Sequence, residues 1–395
     1  MSRPRRIGIL TGGGDVPGLN PVIKSVVYKS TEIGFEVFGF RRGWQGLTHM
    51  RPGPELDSEN VRQLNRDNTR GIDRTGGTML HTSRVNPRKM KKSQLPPHFP
   101  QDELKKYQSG EAAWDLTPVV LKNLEAIGID ELIVIGGDDT LSFAYALDRA
   151  GVRVTGIPKT MDNDVRGTEY CIGFSTAITR AKELITRQRT TLGSHERIGV
   201  FRIFGRDSGF TALFTAYVTS TRCVIPECPF DLNRLVELLF EDRKNNPSRY
   251  SLVIASEGAT WNGRAAAEYG EADAYGHRKK VDIGEALSDE IKRITGVESI
   301  SSDLTYDLRS GEPDALDEMV AITFANVAMD LIRDGIHGRL VAIQEGKYAH
   351  APIPDPKLGA VKVDVDKLYN INRFRPHYSH KLGMPLLLTP SRTTT

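Results

Sequence analysis

Short apolar runs recur along the chain, separated by stretches whose apolar residues fall three and four apart. The runs are Ile7–Leu10, Phe35–Phe40, Leu132–Ile135, Val152–Ile157, Ile198–Ile203, the SLVIAS run at 251–256, and Arg339–Ile343. Several end in glycine, which reads as a buried strand reaching its carboxyl end. Helical spacing marks residues 22–32, Thr117–Ile127, residues 141–150, Ser175–Arg189, Asp231–Phe240, Ile283–Thr295 and the long segment 314–332. Asn20 before Pro21 reads as an N-cap followed by proline at the first helical position. Strand and helix alternate, so the pattern predicts an α/β fold of mostly parallel sheets with helices on both faces. The strands near Ile198 and Val253 start a second lobe.

The polar residues of interest sit where the strands end. Ile7–Leu10 runs into TGGGDVPGLN, with Gly12, Gly13, Gly14 and Gly18. A strand, a glycine-rich turn and a helix can hold a phosphate on free backbone N–H groups; the same turn also occurs with no ligand. Leu132–Ile135 ends in Gly136-Gly137, then Asp138, Asp139 and Thr140. The next strand delivers Pro158, Lys159, Thr160, Asp162 and Asp164. In an open α/β sheet, ligands bind outside the carboxyl ends of strands. Four carboxylates, an ammonium and a hydroxyl in one crevice suit magnesium and phosphate chemistry. Asp138 is a candidate Mg2+ contact, because magnesium takes oxygen ligands and keeps several waters. On an extended segment Asp162 and Asp164 would share a face; an Asx-turn pair is the plain alternative. Arg84, after a second glycine pair, fits either a phosphate or a solvated loop. Arg197 and Arg206 flank a strand near turns, as an anionic substrate would need.

Composition narrows the class. The chain has 395 residues, 39% apolar and 26% charged, with a net charge of +3. That is a globular balance, long enough for two lobes. The small net charge gives no case for nucleic acid, and no run reaches the roughly 20 apolar residues of a membrane span. Cys171, Cys223 and Cys228 form neither a CxxC motif nor a framework, so a reducing cytoplasm is the expected home. Asn86–Asp115 is polar, lysine-rich and proline-bearing, a surface insertion with a short helix. Residues 261–280 read as a surface excursion. The tail after Lys347 has prolines and little periodicity, with SRTTT frayed at its end.

Taken together, TGGGDVPGLN, GGDDT, PKTMDND, SHERIGVFRIFGRDSG and SEGA resemble the phosphofructokinase family in order and spacing, over nearly the whole chain. The resemblance implies two Rossmann-like lobes. One, 1–173 plus about 308–345, would take the phosphoryl donor. The other, 174–307, would take the sugar phosphate, and 346–395 would be an extension. It implies phosphorylation of fructose 6-phosphate at its 1-hydroxyl, with Asp162 as base and Asp138 at the magnesium site. Thr160 and Asp164 match sugar-contacting or metal-supporting positions. Gly13 and Gly14 match the loop around the donor phosphates. Phe204, Gly205 and Arg206 match a substrate segment usually read as MGR. Glu257 matches a sugar-hydroxyl contact, and Tyr306 and Arg309 the segment reaching the 6-phosphate. Arg197 matches an arginine supplied by a neighbouring subunit, so a homodimer or homotetramer is implied.

Asp139 and Lys159 stand where ATP-dependent members usually carry glycine, and resemble the pyrophosphate-dependent branch. A carboxylate at Asp139 would repel the α-phosphate side of ATP. Lys159 would add a cation beside a short, highly charged donor. ATP is the alternative donor, since some members with a mixed pattern use it. The chain departs from the family at Ile300, where many members have a second 6-phosphate arginine, and in DLRSGEP for the usual QRGG. Lys24 and Tyr28 replace the arginines of the bacterial allosteric nucleotide site, so no such regulation is expected.

Overall fold

The computed structural model describes residues 3–264, 268–269, 279–280 and 282–377. Two sheets organise them. The larger has seven strands in the order Lys347–Pro352, Arg339–Gln344, Val154–Pro158, Glu131–Gly136, Arg6–Thr11, Glu36–Phe40, Val61–Leu64. Its five inner strands are parallel and both edge strands are antiparallel. The smaller sheet is parallel throughout, in the order Ser299–Asp303, Ile198–Ile203, Ser251–Ser256, Arg222–Val224. Strands such as Glu131–Gly136 are buried at every residue, which is why they read as continuous runs rather than alternations. The order of the larger sheet reverses between Arg6–Thr11 and Glu131–Gly136. A crevice opens at such a reversal, and the two glycine turns meet there.

Some expectations are corrected. The first helix spans Leu19–Glu32, capped by Gly18 at φ 108. Asn20 is therefore inside the helix. Its side chain is buried, donating to the Thr75 carbonyl at 3.2 Å and accepting from the Met79 N–H at 2.8 Å. A buried loop that needed partners captured the amide. The helix after Gly137 begins at Asp138, earlier than the apolar spacing suggested, and runs to Arg149. Met161 and Asp162 lie in a turn and Asn163 has φ 52, so residues 162–164 are not an extended segment. The tail is also more ordered than expected. Lys347–Pro352 pairs back on Arg339–Gln344 through Glu345-Gly346, both at positive φ, the geometry of a tight hairpin. The helix Phe210–Thr219 and the strand Arg222–Val224 lacked a clear pattern in the sequence.

The insertion at 86–115 does carry a short helix, Gln101–Leu104. Its Met90 is buried in a small core with the flanking Val85, Leu116 and Val119, and its Leu95, Phe99, Tyr107 and Trp114 pack against that core, so the insertion is a packed flap. The SRTTT end and most of the 261–280 excursion lie outside the described residues.

Candidate active site

A cleft of about 660 Å³ opens between the carboxyl ends of the two sheets. The larger sheet contributes Gly13, Gly14, Asp138, Asp139, Lys159 and Asp162, and the smaller one Phe204, Arg206 and Glu257. Thr160, Asp164, Arg84 and Arg309 line the same space. Residues more than two hundred positions apart meet because both sheets present their strand ends to one seam.

The glycine loop is held from several sides. Gly13 N–H donates to Ser83 O at 3.0 Å, and the Thr82 hydroxyl donates to Gly13 O at 2.6 Å. Lys159 crosses under the loop and donates to Gly14 O at 2.7 Å. Gly13 has φ 80, and a Cβ there would stand 3.1 Å from the lysine nitrogen. Glycine suits both the backbone and the close approach. Burial pushes the Lys159 ammonium down to about 8, helped by the Arg309 and Arg84 charges. An anionic ligand beside it would restore its charge.

The carboxylates crowd one another. Burial, then Asp164 and Asp139, push the Asp138 carboxyl up to about 8. Burial, then Asp164 and Glu257, push Asp162 well above its ordinary value, against the pull of Arg309. Its Oδ1 is buried and accepts no hydrogen bond, while its backbone N–H donates to the Thr160 hydroxyl at 3.2 Å. The turn brings Asp162 and Asp164 into one cleft without the extended geometry. Such a cluster calls for a cation. No group of three metal-ligating side chains is present among the described residues. Magnesium needs only one or two carboxylates when substrate phosphates complete its shell, so Asp138 with Asp164 fits that demand.

On the other wall, Gly205 at φ 115 leaves no room for a side chain: a Cβ would lie 2.1 Å from the Ser256 hydroxyl. That hydroxyl donates to Gly205 O at 3.0 Å, which fixes the loop carrying Phe204 and Arg206. Gly205 itself does not line the cleft. Arg309 ends the short helix Thr305–Arg309. Its guanidinium lies 4.8 Å over the Phe204 ring and 3.9 Å from Asp15 of the glycine loop. It therefore spans the seam rather than standing at the sugar end alone.

Two further expected residues are not brought in. Tyr306 is 79% exposed and outside the cleft lining, its ring centroid 5.9 Å from the Arg309 guanidinium at the rim. Arg197 precedes the strand whose opposite end reaches the cleft, and pairs with Glu298 at 2.8 Å. Other residues escaped the sequence reading. Asp15 and Asp207 lie inside TGGGDVPGLN and SHERIGVFRIFGRDSG, but nothing in the sequence gave them a role of their own. The segment Pro354–Lys362 also lines the cleft, although its sequence shows only prolines and polar residues.

A family model described as Phosphofructokinase matches residues 6–332. A relative from Thermoproteus tenax named pyrophosphate–fructose 6-phosphate 1-phosphotransferase is 36% identical over 352 residues, covering 89% of this chain and 92% of the relative. ATP-dependent 6-phosphofructokinase 3 of Streptomyces coelicolor is 34% identical over 342 residues, covering 86% of this chain and 91% of the relative. The crystal structure of pyrophosphate-dependent phosphofructokinase from Nitrosospira multiformis superposes with a TM-score of 0.74 at 15% identity, covering 94% of this chain and 89% of that one. That last likeness speaks for the fold alone.

Proposed function

The chain belongs to the phosphofructokinase family, and from that premise we propose that it transfers a phosphoryl group from pyrophosphate to the 1-hydroxyl of fructose 6-phosphate. The products are fructose 1,6-bisphosphate and phosphate, and the reaction runs readily both ways because donor and products have similar transfer potential. The observation that carries the donor reading is that Asp139 and Lys159 line the cleft together, with Lys159 bound to the glycine loop at Gly14 O. Phe204, the one aromatic side chain among the lining residues, is covered by Arg309. The donor side presents charge rather than a ring on which a nucleobase could stack.

Asp162 takes the proton of the acceptor hydroxyl. The hydroxyl oxygen then bonds to phosphorus as the bond to the leaving phosphate breaks. A carboxylate raised toward neutrality is a stronger base, and the empty acceptor position on Oδ1 is where that proton goes. Lys159, Arg84 and the Gly14 N–H hold the donor phosphates, while Gly13, whose N–H is taken by Ser83 O, gives the turn its shape. Asp138, with Asp164 beside it, would hold magnesium, which supplies charge neutralisation on the transferring group. Arg206 and Arg309 hold the sugar phosphate, with Thr160 and Glu257 on its hydroxyls. Phe204 and Gly205 shape that wall, and Tyr306 stays at its rim.

The lobe division is part of this reading: 1–173 with about 308–345 for the donor, 174–307 for the sugar phosphate. So are a cytoplasmic location, which the three free cysteines suit, and a homodimer or homotetramer in which Arg197 serves a neighbour's site. Among the described residues no helix is long and apolar enough to cross a membrane. ATP is the second reading, favoured by relatives such as the Streptomyces coelicolor enzyme named ATP-dependent. The Asp139→Gly/Lys159→Gly double variant separates the two. It should lose activity with pyrophosphate and gain activity with ATP. A double variant that keeps its pyrophosphate rate would remove these residues from donor choice.

A further inference from the structure

Between the hairpin strand and the second sheet, residues 353–363 run across the mouth of the cleft. The segment is tied at several points. Ile353 is buried and its N–H donates to Gly338 O at 3.2 Å. Arg166 donates to Leu358 O at 3.1 Å. Val361 N–H donates to Asp164 O at 2.7 Å, two residues from the proposed base. Val363 is buried, and its N–H donates to Glu227 Oε1 at 2.9 Å. That carboxylate also accepts from Gly209 N–H at 2.8 Å, just beyond Asp207 on the sugar side. The segment therefore joins the two lobes and is fixed on both sides of the transfer point.

Its side chains alternate. Ala360 and Lys362 line the cleft, while Val361 packs against the main core and Val363 is buried in it. A lysine is thus turned into a space walled by Asp138, Asp139, Asp162, Asp164 and Glu257. The Lys362 ammonium makes no ion pair or hydrogen bond among the described residues. Lys159, by contrast, is bound to the loop carbonyl and Arg309 faces Asp15. A cation with no protein partner, in a cleft built for phosphates, is placed to meet a ligand.

We propose that Lys362 is a phosphate-binding residue for the donor, holding pyrophosphate in the forward reaction and inorganic phosphate in the reverse. This rests on the pyrophosphate reading above. The strap that carries it also places Pro354 and Pro356 beside Ser142 on the donor helix. That wall closes the donor end around a short anion.

The test is steady-state kinetics of Lys362→Ala and Lys362→Arg. Loss of one charged contact should raise the KM for pyrophosphate and for phosphate roughly ten-fold in the alanine variant. The KM for fructose 6-phosphate and kcat should stay within about two-fold, and arginine should recover most of the loss. Lys362 is exposed, so thermal melting should match the wild type. An unchanged KM for pyrophosphate, or a rise confined to fructose 6-phosphate, overturns the inference and leaves the donor reading standing. A wild type inactive with pyrophosphate overturns the donor reading instead. Calorimetric titration of magnesium pyrophosphate into both proteins then decides Lys362: weaker binding by the variant supports it, and equal binding overturns it.

Discussion

The chemistry is concentrated in a few side chains whose environments set their charge. Asp162 and Lys159 lie a few residues apart, yet burial moves them in opposite directions, the acid up and the ammonium down. Each sits closer to neutrality than it would in water, as a proton acceptor and an anion holder should. Asp162→Asn keeps the shape and removes the base, so kcat should fall by ~10²–10⁴-fold with little change in KM. Full activity in that variant would remove Asp162 from the proton transfer. The pH profile follows from the same shifts. In the free enzyme kcat/KM should fall toward acid while pH is still above the ordinary carboxylate range, because Asp162 protonates early. On the alkaline side the KM for pyrophosphate should rise as pH passes about 8, where unliganded Lys159 loses its proton. In Lys159→Met that alkaline change should vanish; its persistence would assign it to another group.

At the scale of elements, the turn that carries the proposed base is propped from below. Thr160 N–H donates to Ile172 O at 3.1 Å, and Ile172 N–H to Pro158 O at 3.2 Å. The next residues, Tyr170 to Thr176, are gathered by the fully buried Asp317. It accepts from the Tyr170 hydroxyl at 2.6 Å, from Gly173 N–H and Thr176 N–H at 2.8 Å each, and from the Thr176 hydroxyl at 2.6 Å. Asp317→Ala would leave four buried donors without an acceptor. It should cost about 3 kcal/mol or more of stability, read as a lower midpoint in thermal unfolding. An unchanged midpoint would mean the turn is held by packing alone. None of this was visible in the sequence, where Asp317 looks like one more polar residue in a long helix. Legible features were those with a local cause. Leu132–Ile135 read as a strand because burial on both faces makes it apolar throughout. GGDDT and PKTMDND were readable as strand ends because glycine and aspartate punctuate them. The helix start at Asp138, the Asn163 turn and the strap at 353–363 are set by distant contacts, which leave no periodicity behind.

At the scale of the whole molecule, the role proposed for Arg197 requires a second copy of the chain. Arg197 stands at the amino end of a six-residue strand, about 20 Å from the end that reaches the cleft. In the proposed assembly it reaches a neighbour's cleft rather than that of its own chain. Arg197→Ala and Asp162→Asn should each be nearly inactive with fructose 6-phosphate. Refolding the two together should restore activity, since some mixed interfaces pair an intact base with an intact arginine. No recovery in verified mixed oligomers would mean that Arg197 acts elsewhere. The two-sheet architecture was foreseeable from alternating strands and helices, whereas this end-to-end arrangement was visible only once strand direction was known. The central claim, a phosphofructokinase that takes its phosphoryl group from pyrophosphate, is tested most directly by one comparison. Fructose 1,6-bisphosphate formation is measured from fructose 6-phosphate and magnesium, with pyrophosphate and ATP side by side. Turnover with pyrophosphate and little with ATP is the predicted result. Turnover with ATP alone would contradict the donor assignment of Asp139 and Lys159.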